Sequence, residues 1–296
     1  MSSGNIPLNL LQSLLNLLKK GSARNLQLLI ERRSNGKSFY TSWIERATYL
    51  ILDCEQITNQ GGVLELSIQC PTLQELDIKL ENLCLPLDGH LTSLDYSQQT
   101  LSGLLESRIN SIIYDRSLIN EFKKFLASLK QSQASVEFLL DSPLSLTAEN
   151  LEYFSQIESA IPKSNHVRVG GYLRRLQPIA HSGVLSLADN QLIQINFDRR
   201  LSQSLENLLH QPAIVEGMAH YMANEKLLRV DAHSIFTVAE TEMLLWSQYP
   251  KPLSVNFNVQ DLYITQTGET GIGAIFGKWP GSETDEEIQA YLEELS

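Results

Sequence analysis

From His166 to Phe236, apart from Leu201 to Leu209, the apolar residues tend to recur at every second position, and the segments that carry them follow an order few folds share. His166 to Ile179 is one long alternating run with Gly170-Gly171 inside it. Gly183 to Ala188 and Gln191 to Phe197 flank Asp189-Asn190 as the arms of a hairpin. Leu201 to Leu209 has helical spacing, and Ala213 to Met222 and Lys226 to Phe236 flank Ala223-Asn224-Glu225 as a second hairpin. The predicted order is strand, strand, strand, helix, strand, strand. The paired glycines mark where the long first strand must bend or bulge to serve two sheets.

Five strands with a helix between the third and fourth is the arrangement of the oligonucleotide/oligosaccharide-binding (OB) barrel, and residues 162–238 are read as an OB-like barrel. Small SH3-like barrels share much of the pattern. OB barrels that take single strands combine basic side chains with aromatic stacking platforms. Arg168, Tyr172, Arg174 and Arg175 on the first strand, with Phe197 on the third, supply both, so nucleic acid is one expected partner. The competing reading places Tyr172 or Phe197 in the core and the arginines on a solvated face.

Residues 1–160 read as an α+β domain of unknown type. Pro7 to Lys20 is a predicted helix with Leu8, Leu11, Leu15 and Leu18 on one stripe and Gly21 as its stop; such a face needs a cover, either the sheet or a second protomer. Asn25 to Arg33 and Lys37 to Ile44 flank Ser34-Asn35-Gly36, a hairpin signal. Tyr49 to Glu55, Val63 to Gln69 and Leu73 to Leu83 continue as strands of an antiparallel meander. Helices are predicted over Leu101 to Ile113, Leu118 to Lys130 and Ala148 to Ala160, with Ser117 and Thr147 as N-caps. Beyond the barrel, 239–275 reads as a short helix ending at Trp246 and then a linker.

Charge limits the partners. The chain carries -11 formally, which repels phosphate backbones and anionic lipid over most of its surface. From Pro162 to Val238, however, eight Lys/Arg face six Asp/Glu, a local +2 that leaves -13 on the rest. Cys54, Cys70 and Cys84 are too few and too scattered for a disulfide framework or a zinc knuckle, and read as buried thiols of a reducing compartment. With no basic leader and no run of about 20 apolar residues, a cytoplasmic protein outside the membrane is expected.

No catalytic motif stands out. Gly271, Gly273, Gly277 and Lys278 fail the phosphate-loop spacing, and Trp279 sits where a hydroxyl should hold magnesium. The six histidines show no zinc spacing; His220 and His233 are placed to approach each other across the last hairpin. No GxSxG elbow occurs. The expectation is a non-enzymatic protein without cofactor or metal.

The sharpest local signal lies in the tail, 276–296. Thr284 and Glu287 match a capping box, after which Ile288, Tyr291, Leu292 and Leu295 fall at i, i+3, i+4 and i+7. Phe276 and Trp279 add two large anchors, and six carboxylates against Lys278 leave -5 on the last twenty-one residues. An acidic amphipathic helix of this kind lays its stripe on another protein's groove, or on its own chain.

The run GIGAIFGKWPGSETDEEIQAYLEELS, Gly271 to Ser296, resembles a C-terminal segment of an uncharacterised bacterial family in which a G-x-W-P-G-x-E-T-D-E-E core precedes a short leucine helix. It is also similar to the tails of antitoxin-like proteins encoded beside PIN-domain ribonuclease toxins. HVRVGGYLRRL and PAIVEGMAHYMANEKLLRVDAHSI resemble the same family, so the likeness covers Val136 to Ser296. It implies a protein partner, a PIN-type toxin whose acidic metal-dependent site the tail would occlude, with Trp279, Ile288, Tyr291 and Leu292 as anchors. The chain departs from the antitoxin pattern in showing no helix-turn-helix or swapped-hairpin DNA-binding module. The expected function is a protein–protein interaction protein, with single-stranded nucleic-acid binding as the alternative.

Overall fold

In the computed structural model, residues 7–36, 41–60, 63–76, 87–139, 143–177, 181–198, 200–201, 205, 208–253, 284 and 286–287 are described. Met1–Leu253 forms one compact unit and Ser254–Ser296 another. The order of elements in the first is α1 (Leu8–Asn16), α2 (Ser22–Glu31), α3 (Thr41–Ala47), β1 (Ile51–Gln60), β2 (Val63–Gln69), α4 (Ser93–Leu105), α5 (Arg116–Ser132), β3 (Val136–Phe138), β4 (Leu144–Leu146) and α6 (Asn150–Ala160). Then follow β5 (Asn165–Gln177), β6 (Ser182–Ser186), β7 (Leu192–Phe197), β8 (Pro212–Tyr221), β9 (Leu227–Thr237) and α7 (Glu240–Leu245).

The last five strands close into a barrel in the order β5-β6-β7-β9-β8, as the alternation had led us to expect. All its pairings are antiparallel except β7 with β9, which run parallel from Ile195 opposite Val230 to Phe197 opposite Ala232. Helical residues at 200–201 and 205 lie between β7 and β8, with Leu205 buried in the barrel core. Inward positions alternate along each strand, so Val169, Leu173, Leu185, Ile193, Ile195, Val215 and Val230 fill the interior. Each such side chain contributes about 1.5–3 kcal/mol of transfer free energy.

β5 changes neighbour at Tyr172, which pairs with Pro212 on β8 and with Ser186 on β6. The bulge falls just after, between Leu173 and Arg175. The two glycines serve close approach: a Cβ on Gly170 would sit 2.1 Å from the Met243 carbonyl oxygen of α7, and one on Gly171 2.6 Å from that of Ser186.

The N-terminal segments depart from expectation. Gly21 does not stop the first helix; one π-turn, Leu17–Gly21, carries α1 into α2. The expected hairpin about Asn35-Gly36 is instead two helices, α2 and α3. Leu26, Leu28 and Ile30 alternate as in a strand, yet Leu26 and Ile30 face a cluster with Trp43, Ile44 and Leu73 while Leu28 faces α4 and α5. A helix buried on two sides thus imitates a two-residue period. Gly36 is nevertheless left-handed, with φ +80°.

Among the described residues the expected meander reduces to the β1–β2 pair. Gln74–Leu76 is a short 3-10 turn, and residues 77–86 lie outside the described set. The helix expected at Leu101 to Ile113 runs earlier, over Ser93–Leu105, because Thr92 and Asp95 form a reciprocal capping box. α5 starts at Arg116 with Asp115, not Ser117, as its cap. The Ser117 hydroxyl accepts from Arg24 instead. α5 also covers α1: Leu10 and Leu17 join its cluster, and Ser13 meets Ser128 at 3.0 Å. Phe122 of α5 and Phe154 of α6 meet edge to face at 5.8 Å.

No helix among the described residues is long and apolar enough to cross a membrane.

Candidate functional site

The four residues expected to form a nucleic-acid face sit together on β5, where Arg168 and Tyr172 are bonded within the chain while Arg174 and Arg175 are exposed. Arg168 Nε lies 2.9 Å from Glu216 Oε1, and the guanidinium packs 4.8 Å from the Trp246 ring and 5.8 Å from that of Phe236. The Tyr172 hydroxyl donates to Glu240, a bond that raises its pKa, and the Arg174 guanidinium stands 5.7 Å from the Tyr172 ring. Arg175 is exposed opposite Val184. Helix α7 lies over this face because Gly170 leaves room for it, its N–H donating to the Trp246 carbonyl at 2.9 Å. Phe197 belongs to the barrel core and stacks on His181.

A crevice of about 290 Å³ opens elsewhere, between the start of α5, the α6–β5 connection and the β8–β9 pair. Its walls include Asn35, Asp115, Arg116, Ser117, Lys163, Ser164, His220, Tyr221, Leu228 and Arg229. Arg116, Lys163 and Arg229 against Asp115 make the lining +2. The Asp115 carboxylate is already occupied, accepting from the Ser34 N–H and the Leu118 N–H at 2.9 Å each and from the Ser34 hydroxyl. Arg116 gives one N–H to the Ile161 carbonyl at 3.0 Å and keeps its other donors. Lys163 is exposed and has no charged partner among the described residues.

Along the barrel side of the crevice runs a chain of polar contacts. Ser164 Oγ lies 2.9 Å from His220 Nδ1, and His220 Nε2 lies 2.9 Å from Asp231 Oδ2. Arg229, only 4 % exposed, grips both oxygens of Asp231 at 2.7 and 3.1 Å and donates to the Arg32 carbonyl at 2.7 Å. Burial pushes the Asp231 carboxyl up, but the hydrogen bonds and charges of His220 and Arg229 outweigh it and bring its pKa down to about 2.

The sequence reading missed this group. His220 and His233 were expected to come near each other across the hairpin, whereas His233 meets His166 at 4.9 Å between ring centroids. Strand alternation in the last hairpin, with His220 opposite Arg229 and Asp231 two positions on, is the one signal that points to it. Ser164 enters through the β5–β8 pairing, which sets Asn165 opposite Ala219.

Cys70 is half-buried, bonded to the Ala47 carbonyl and the Ser93 hydroxyl, and burial raises its pKa. Among the described residues no group of three or more His, Cys, Asp or Glu is placed to hold a metal ion. Phe276, Trp279, Ile288, Tyr291, Leu292 and Leu295 lie outside the described residues. The cap ahead of them is described: Thr284 N–H donates to Glu287 Oε2 at 2.8 Å and Glu287 N–H to Thr284 Oγ1 at 3.4 Å.

Fold and site define a mixed α and β protein with a closed five-stranded barrel and a positively lined crevice at its side. No family model, curated protein or solved structure matches the chain.

Proposed function

We propose that this is a binding protein built on an OB-type barrel, and that the crevice beside the barrel receives an anionic group, phosphoryl or carboxylate. The strand order, with third and fifth strands parallel and the helix between third and fourth, supports the OB assignment. The observation that carries the ligand class is the pair of cations on the crevice wall of a chain of -11, Lys163 with no charged partner among the described residues and Arg116 retaining donors, since Arg229 is held by Asp231. Charge-assisted bonds from such groups contribute about 1.5–3 kcal/mol each, roughly tenfold or more in affinity. Titration calorimetry at low salt with inorganic phosphate, pyrophosphate and citrate tests it. Binding by at least one of them, weakened tenfold or more by Lys163→Glu, is the expected result; no heat from any of the three removes the reading.

A second reading concerns the tail. The reciprocal bonds between Thr284 and Glu287 favour a helix beginning there, as a docking segment that engages a protein partner, a PIN-type ribonuclease being the one the resemblance implies, would require. Deleting residues 276–296 should abolish capture of that partner; a truncated chain that still retains it would sink the idea.

A further inference from the structure

Ser164, His220 and Asp231 come from the approach to β5, from β8 and from β9, and their side chains form one hydrogen-bonded line that ends at the crevice. Asp231, gripped through both oxygens by the Arg229 guanidinium, is a carboxylate and only accepts. A neutral His220 must then carry its single N–H on Nε2, facing Asp231, and its Nδ1 lone pair faces Ser164. The last bond therefore has one direction: the Ser164 hydroxyl donates to His220 Nδ1. An exposed hydroxyl held by the free lone pair of an imidazole that a carboxylate orients is an activated-nucleophile arrangement. Relative to the serine-protease template the two ring nitrogens are exchanged, and the roles are unchanged.

Two further features separate this line from an ordinary cross-strand contact. Arg229 holds both oxygens of Asp231 and is itself anchored on the Arg32 carbonyl, which fixes the carboxylate plane toward His220. The hydroxyl also opens onto a crevice of about 290 Å³, whose wall carries Lys163 and Arg116.

We propose that Ser164 is a nucleophile and that the crevice hydrolyses a carboxylic ester bearing an anionic group. This goes beyond binding and departs from the non-enzymatic expectation; only the anionic part of the substrate rests on the crevice reading above. Ser164 Oγ bonds to the carbonyl carbon while its proton passes to His220 Nδ1, and the positive lining faces the charge that develops on the carbonyl oxygen. Collapse breaks the bond to the alcohol oxygen, which takes the proton from His220. Water then attacks the acyl-Ser164, gives a proton to His220 Nδ1, and the acid departs as that proton returns to Ser164 Oγ. Water is the only co-reactant.

The test is labelling of the full-length chain by an uncharged alkyl fluorophosphonate, read by intact mass and peptide mapping beside a serine hydrolase control. One adduct is expected, on Ser164, absent in Ser164→Ala and formed about a hundredfold or more slowly in His220→Ala. His220→Asn, with its fold checked by circular dichroism, guards against a variant that fails to fold. No adduct in the wild type while the control reacts, an adduct elsewhere, or a rate indifferent to both His220 variants overturns the proposal. Because the probe is uncharged, labelling does not depend on the anion reading. Turnover of nitrophenyl acetate against nitrophenyl succinate decides that part: a higher kcat/KM for the succinate supports the substrate class, and equal values remove it while Ser164 stands.

Discussion

Arg229 is a buried cation each of whose three nitrogens donates, two to Asp231 and one to a backbone carbonyl. Arg229 is buried but the Asp231 side chain is 40 % exposed, so removing Asp231 strands a buried guanidinium, whereas solvent shares the carboxylate's charge if Arg229 is removed. The pH dependence follows from Asp231. Its folded pKa, about 2, lies below the ordinary aspartate value of 3.8, so its contribution is complete above about pH 4 and is lost as pH falls toward 2. Urea midpoints of wild type and Asp231→Asn, taken from neutral pH downward, should therefore differ most near neutrality and converge in acid. A gap that stays constant would show that the carboxylate is not the group titrating. At this scale the sequence offered only residue types: His220 and Asp231 were visible, and their bond was not.

Among the elements, α2 and α7 show how neighbours override a local pattern. The alternation of Leu26, Leu28 and Ile30 was legible and misled, because two different clusters receive the two sides of one helix. Its last carbonyls then find donors on the barrel: Asn196 donates to Glu31 at 2.8 Å and Arg229 to Arg32. Helix α7 was expected and found, but its seat was not foreseen. It lies on Gly170, whose missing side chain admits the Met243 carbonyl. Gly170→Ala should push α7 off β5, lower stability by about 1–3 kcal/mol in urea unfolding, and release Arg168 from Trp246. An unchanged midpoint would mean that α7 yields freely.

For the whole first unit, the barrel and the helical segments before it meet through polar ties as well as apolar packing. Asn196 and Arg229 reach α2, and Asn224 in the β8–β9 turn donates to Asn110 at 2.9 Å. The crevice exists because these segments meet, with Asp115 and Arg116 coming from one side and His220 and Arg229 from the other. Sequence alone determined the five barrel strands with their helix, the two hairpins, α5 and α6, and the cap at Thr284. Those features rest on period, turn residues and caps, interactions that span a few positions along the chain. Tertiary structure alone decided that residues 22–31 are helical, that Arg168 and Tyr172 are tied to Glu216 and Glu240, and that Ser164 joins His220 and Asp231 in one line. The reason is physical: closing β5 on β8 brings Ser164 to His220 and burying Arg229 brings it to Arg32, groups dozens of residues apart that no local pattern joins, whereas His220 and Asp231 already share the last hairpin.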